Sequence, residues 1–270
     1  MTAQEVGDRL EWSTAKVSRI ETGQVALLPR DVTDLLDLYG VADAAQRDEL
    51  LVATRESRQK SWWNAYRDVL SSQHRVFIGL ETDAVSLRTF EPLYVPGLLQ
   101  TEDYAGAVIR AALLNASVED TERLVAVRMA RQALVSRSED PLRIWAVLDE
   151  GCLRRQVGGP AVMRDQLLRL ITEARRPNVV IQVLPFSSGA HPGMRGSLAL
   201  LEFAEPADPD VVYVDSHGGE LYLERPEEVR RCGSVFDHLR AAAAAPDRSI
   251  ELLTSIAGEL QKTKTNQGDG

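Results

Sequence analysis

The apolar periodicity of this chain changes once, near Trp62, and the change divides the sequence into two kinds of fold. Ahead of it, apolar residues recur at helical spacing. Behind it, short strand-length runs at 86–91, 142–148, 178–184, 197–203, 211–215 and 220–224 alternate with helical runs at 101–112, 118–136, 150–157, 161–174, 226–243 and 249–260. Strands interleaved with helices predict a mixed α/β sheet. The last two strand runs are joined by Ser216-His217-Gly218-Gly219, which is hairpin chemistry. The expected architecture is α+β and multidomain: a small all-α domain over 1–58, a mixed α/β domain over 59–260, and a disordered polar tail over 261–270.

The first 58 residues carry the most informative local signals. Thr2-Ala3-Gln4-Glu5 has the form of a capping box, and Val6 and Leu10 give the helix behind it a buried face. Ser13 is placed to cap a second helix through about Thr22, with Val17 and Ile20 inward and Gly23 as its stop. Pro29 begins a third helix, with Val32, Leu35, Leu36 and Leu38 as its apolar set and Gly40 as its end. A fourth runs from about Asp43 to Ser57. Two short helices joined by a tight turn allow the second to enter the DNA major groove while the first braces it. Thr14 and Lys16 would then reach base edges, and Ala15 a thymine methyl. Ser13, Ser18 and Arg19 suit phosphate contacts. Without the caps and the spacing, Lys16 and Arg19 would mark only a solvated face, and the segment a plain helical hairpin.

Bulk composition limits the partners. The net charge of −9 excludes a general nucleic-acid coat, which needs a basic surface to release counterions. A sequence-specific reader needs only a local basic patch, and because residues 1–60 are themselves net acidic, that patch must be small. Cys152 and Cys232 have no zinc-type spacing, so a reduced cytoplasmic protein without metal or other cofactor is expected. There is no apolar run of membrane length and no secretory pattern.

The segment Val17-Ser18-Arg19-Ile20-Glu21-Thr22-Gly23, with Thr2 to Leu10 before it, resembles the lambda-repressor-type, or xenobiotic-response-element, helix-turn-helix. The stretch Phe90-Glu91-Pro92-Leu93-Tyr94-Val95-Pro96-Gly97-Leu98-Leu99-Gln100-Thr101-Glu102-Asp103-Tyr104 resembles the large domain of unknown function in actinobacterial WhiJ-like regulators. Val147 to Glu150, Val157 to Pro160, Ile181 to Pro185 and Val211 to Asp215 resemble it too. The resemblance implies regulation of development or specialised metabolism beside a small partner protein, in a pair likened to a toxin–antitoxin system. The chain departs from the pattern in three ways. The helix that precedes the capping box in the family is absent before Met1, so Val6, Leu10 and Ile20 are expected to be partly exposed. Ala3 stands where the family has a phosphate-contacting Gln, and Glu11 where it has a turn glycine. A start placed too late and a shortened domain that no longer binds DNA both account for the missing helix.

In the larger domain, a possible ligand pocket gathers Tyr94, Gln100, Tyr104, Arg128, Glu150, Arg154 and His191, with no catalytic residue assigned. His191 lies in a Gly-rich loop after a strand, where it could face Glu150 or Asp149, although a surface histidine on an ordinary turn is the favoured reading. Asp215, Ser216 and His217 imitate a triad, but neighbours on a hairpin rarely align as one. Glu81 and Asp83 read as solvated carboxylates. Cys152 lies near Arg154 and Arg155, which could lower its pKa, yet an idle thiol is favoured. Arg123, Arg128 and Arg131 on one long helix either meet an acidic partner or ligand or pair within the chain. The reading that results is a homodimeric transcription regulator whose first domain reads operator DNA and whose second binds a small acidic or toxin/antitoxin-like protein or a small molecule. A partner module without DNA binding, or a biosynthetic enzyme with a deep pocket around Glu150, Arg154 and His191, stand as alternatives.

Overall fold

The capping box forms as its spacing requires. Thr2 N donates to Glu5 Oε2 at 2.7 Å and Glu5 N donates to Thr2 Oγ1 at 3.2 Å, opening helix α1 (Ala3–Leu10). The computed structural model describes residues 1–10, 12, 17, 20–21, 29–57, 62–113, 116–204, 210–216 and 219–266. The chain divides into two compact units, Met1–Gly79 and Leu80–Gly270. The sequence boundary at 58/59 lies ahead of this division, because the segment from the 3₁₀ turn Trp62–Tyr66 through the start of α4 (Ser72–Asp83) clusters with the first unit.

In the first unit, α2 (Pro29–Leu38) ends at Gly40, whose φ of +70° suits a residue without a Cβ. Asp43 then caps α3 (Ala44–Ser57), accepting from Ala45 N at 2.9 Å. Arg47 ties the two helices by donating to Val41 O and pairing with Asp37 Oδ1 at 2.6 Å. Val6 is fully buried, while Leu10 and Ile20 are half-buried, so the expected exposure falls on two of the three.

The second unit is built on one six-stranded sheet of order β3-β2-β1-β4-β5-β6. Strands β1 (Ser86–Glu91), β2 (Arg143–Asp149) and β3 (Val179–Leu184) are parallel; β4 (Leu198–Glu202), β5 (Val211–Ser216) and β6 (Gly219–Leu223) continue it antiparallel. All six expected strands and the β5–β6 hairpin form. Parallel neighbours need crossovers. The first carries α5 (Glu102–Ala112), α6 (Val118–Arg131) and α7 (Ala133–Ser136); the second carries α8 (Glu150–Arg154) and α9 (Pro160–Glu173). The single helix expected over 118–136 breaks at Gln132, whose side-chain amide donates to Gly97 O and Gln100 O.

On one face of the sheet, Phe90, Val147, Leu184, Leu198, Leu200 and Val212 pack against Phe236 and Leu239 of α10 (Pro226–Ala242). The final helix, α11 (Pro246–Asn266), packs on α9 and β3. The α10–α11 link covers the open edge of β3: Ala244 N donates to Val183 O, and Val183 N to Ser249 Oγ. The helix continues to Asn266, so the polar tail expected from 261 is helical over its first six residues.

Candidate functional site

The six residues expected to touch DNA, Ser13, Thr14, Ala15, Lys16, Ser18 and Arg19, lie outside the described residues. Three helical neighbours are described. Val17 is helical and 2% exposed, and Ile20 and Glu21 are helical with Ile20 half-buried.

The second unit assembles a polar cluster at the carboxyl ends of its parallel strands, where open α/β sheets bind ligands. Alternation along β1 puts Phe90 into the apolar core and Thr89 and Glu91 on the other face. Thr89 donates to Leu198 O at 3.2 Å and approaches Glu91 Oε1 at 3.5 Å. Glu91 as a whole retains some exposure, but its Oε2 is sealed from water and has no hydrogen-bond partner. Burial, with a smaller push from the Asp215 carboxylate, raises Glu91 to about 8 against the opposing Thr89 hydroxyl, so at neutral pH it is largely a neutral acid.

The chain after β1 supplies the rest. Pro96 and Gly97 begin the 3₁₀ turn Gly97–Leu99, and Thr101 caps α5 by accepting from Tyr104 N. Tyr104 is fully buried; its hydroxyl accepts from Val95 N at 3.2 Å, and burial lifts it to about 12. Gln100 is 1% exposed, donates to Val95 O at 2.6 Å and accepts from Arg128 Nη1 at 3.0 Å. Gly97 has Arg128 and Arg131 within 3.8 Å of where a Cβ would stand. Burial, and then the charge of Arg131, lower Arg128 to about 10. Arg131 instead reaches Glu81 of α4 through two bonds of 2.7 Å, both side chains nearly excluded from water. Burial alone would lower Arg131, but the Glu81 carboxylate reverses the direction. Glu81 is therefore not the solvated carboxylate expected, because the fold places it against a buried cation. Burial raises the Tyr94 phenol, as do Glu91 and Asp215, and Arg128 opposes them.

The proposed pocket thus separates into three places. Tyr94, Gln100, Tyr104 and Arg128 come together around the end of β1. Glu150 and Arg154 instead form a largely surface chain: Arg154 pairs with Glu150 at 2.6 Å and with Glu259 of α11 at 2.9 Å. Burial pushes Glu150 upward, but the Phe186 amide and Arg154 hold it below its ordinary range. This surface arrangement is not the deep pocket that the enzyme reading required of these residues.

His191 occupies the third place, on the Phe90 face. Its Nε2 is 3.6 Å from Asp149 Oδ2, its ring meets Phe90 edge-on, and its Nδ1 is buried without a partner. It is not the surface histidine expected, because the 3₁₀ turn Pro192–Arg195 presses onto Phe90 and carries it inward. Cys152 is buried and its thiol is pushed well up, first by burial, so the nearby arginines do not activate it. Both cysteines are free. Of the triad imitation, Asp215 and Ser216 close β5, Ser216 Oγ donating to Gly219 O, and His217 lies outside the described residues.

Sequence reasoning missed Glu91, although one signal was present: an acid closing a strand that is otherwise buried, at the end where such sheets bind ligands. Among the described residues, no group of three or more His, Cys, Asp or Glu side chains could hold a metal ion. Nor is any described helix long and apolar enough to cross a membrane.

Comparison with known proteins places this geometry in a family. Residues 1–50 match a helix-turn-helix domain, and residues 74–255 match a domain of unknown function, DUF5753. No curated protein and no solved structure matches the chain. Since the second match spans more than half of the sequence, the protein belongs to the DUF5753 family and carries that domain behind an N-terminal helix-turn-helix.

Proposed function

We propose that the protein is a sequence-specific DNA-binding transcription regulator, working as a homodimer in the cytoplasm, whose second unit binds a small molecule that alters DNA affinity. The helix-turn-helix match over residues 1–50 supports the first half. The observation that carries the second is the set of buried polar groups around Tyr94, where Glu91 Oε2 has no partner. A buried polar atom without a partner costs about 1–3 kcal/mol, and a ligand that supplies the missing bond recovers it. The WhiJ-like resemblance adds regulation of development or specialised metabolism in an actinobacterium as the setting.

A second reading, docking of a small toxin/antitoxin-like protein, is favoured by a separate observation. Leu93, Phe186 and Met194 are 57%, 60% and 71% exposed on the loops at one end of the sheet, and exposed apolar side chains gathered there suit a protein partner.

Fluorescence anisotropy of the full chain on DNA from upstream of its own gene, against scrambled DNA at two salt concentrations, tests the regulator reading. Selective binding that weakens with salt, and that is lost in Lys16→Ala and Arg19→Ala, is the expected result. Equal affinity for both DNAs, or none for either, overturns it.

A further inference from the structure

Gly97 is a glycine that its own backbone does not require. It opens the 3₁₀ turn after β1 without a positive φ, and a Cβ built on it would meet nothing closer than 3.8 Å. Alanine would therefore fit. The atoms that stand at 3.8 Å are Cδ and Nε of Arg128 and Nη1 of Arg131. The face of Gly97 is thus bare between two guanidinium groups, and a glycine so placed lets another group approach the backbone closely.

The charge around this gap is unbalanced. Glu81 holds Arg131 through two bonds of 2.7 Å. Arg128 donates from Nη1 to Gln100 Oε1 at 3.0 Å, while its Nε and Nη2 bond to nothing among the described residues and meet no carboxylate among them. Two cations and one carboxylate leave one positive charge in excess. Burial and the charge of Arg131 both act against the Arg128 cation, and an anion beside it would oppose them. Arg128 is half-buried, so its guanidinium is shielded from water yet reachable from it. The Nε–Nη2 edge of a guanidinium matches the two oxygens of a carboxylate.

We propose that the bare face of Gly97 and the Nε–Nη2 edge of Arg128 form the seat of a small-molecule carboxylate. The proposal rests on the reading above that the second unit receives a small molecule, and it names the class and the anchor of that molecule. A single excess charge suits a monoanion better than a phosphate dianion.

The test is calorimetric titration of the full chain with acetate, butanoate and benzoate at millimolar concentration and constant ionic strength. Butanamide and benzamide keep the bodies and remove the charge, and inorganic phosphate supplies a different oxyanion. The expected result is saturable binding of at least one carboxylate and of neither amide. Arg128→Gln weakens it at least about ten-fold, while Arg128→Lys retains part of it. Gly97→Ala keeps the wild-type urea midpoint, because its Cβ fits, yet weakens binding at least about ten-fold by filling the seat. If Arg128→Gln does not fold, Gly97→Ala and the wild-type panel decide. No saturable carboxylate binding, equal binding of the amides, tighter binding of phosphate than of every carboxylate, or wild-type affinity in Gly97→Ala overturns the proposal. Saturable binding of an amide without its carboxylate keeps the small-molecule reading and overturns the seat. Carboxylate binding that leaves DNA affinity unchanged keeps the seat and overturns the sensor reading.

Discussion

Replacing Glu81 by Gln removes one charge from a pair that is almost wholly out of water. The two side chains are 1% and 6% exposed, and the carboxylate takes both of its bonds to Arg131 at 2.7 Å. The amide cannot balance the guanidinium, which stays behind as a buried cation, and a buried pair broken on one side costs about 3–5 kcal/mol. For a domain of this size, each kcal/mol moves the melting temperature by about 2–4 °C, so a fall of about 6–20 °C is expected. Thermal melts and urea titrations followed by circular dichroism measure both quantities. The double variant Glu81→Leu/Arg131→Met removes both charges and keeps most of the volume, and it should recover most of the loss. A single variant costing less than about 1 kcal/mol, or a double variant as unstable as the sum of its singles, would refute the reasoning, because the pair would then be neither buried nor coupled.

Glu91 predicts a pH dependence of opposite sign to that of an ordinary carboxylate. The folded acid keeps its proton up to about pH 8, while the unfolded side chain loses it near 4.5, so stability falls as pH rises between those values and levels off above. Glu91→Gln should flatten that part of the urea-midpoint profile, and an unchanged slope would assign it to other groups. Gly193→Ala drives a Cβ into the Phe90 ring, so a loss of about 1–3 kcal/mol in the same melts is expected; no loss would mean that the loop yields freely. Cys152, fully buried with its thiol pushed up, should resist iodoacetamide until the second unit unfolds, whereas rapid labelling of the native protein would contradict its burial.

Local signals in the sequence carried much of the fold. The Thr2–Glu5 box and the Gly40 stop depend on residues within a few positions of each other, and each forms at its expected place. The strands were legible because the change of period from helical to strand-length runs is itself local. The break at Gln132 was not, since the side-chain amide finds its acceptors more than thirty positions away. The site shows the same division. Tyr94, Gln100, Tyr104 and Arg128 could be named from the turn after β1 and from one helix face, but their separation from Glu150, Arg154 and His191 could not.

By itself, the sequence determined two units of different secondary structure, a helix-turn-helix followed by a mixed sheet, because periodicity, caps and turn residues act over a few positions. Only the tertiary structure decided that Glu81 would neutralise Arg131, that Glu91 would bury its Oε2 near Thr89, and that Arg128 would meet no carboxylate among the described residues. Those outcomes follow from the strand order β3-β2-β1-β4-β5-β6, which sets distant residues in one low-dielectric region where a charge must be paired, neutralised or bound by a ligand.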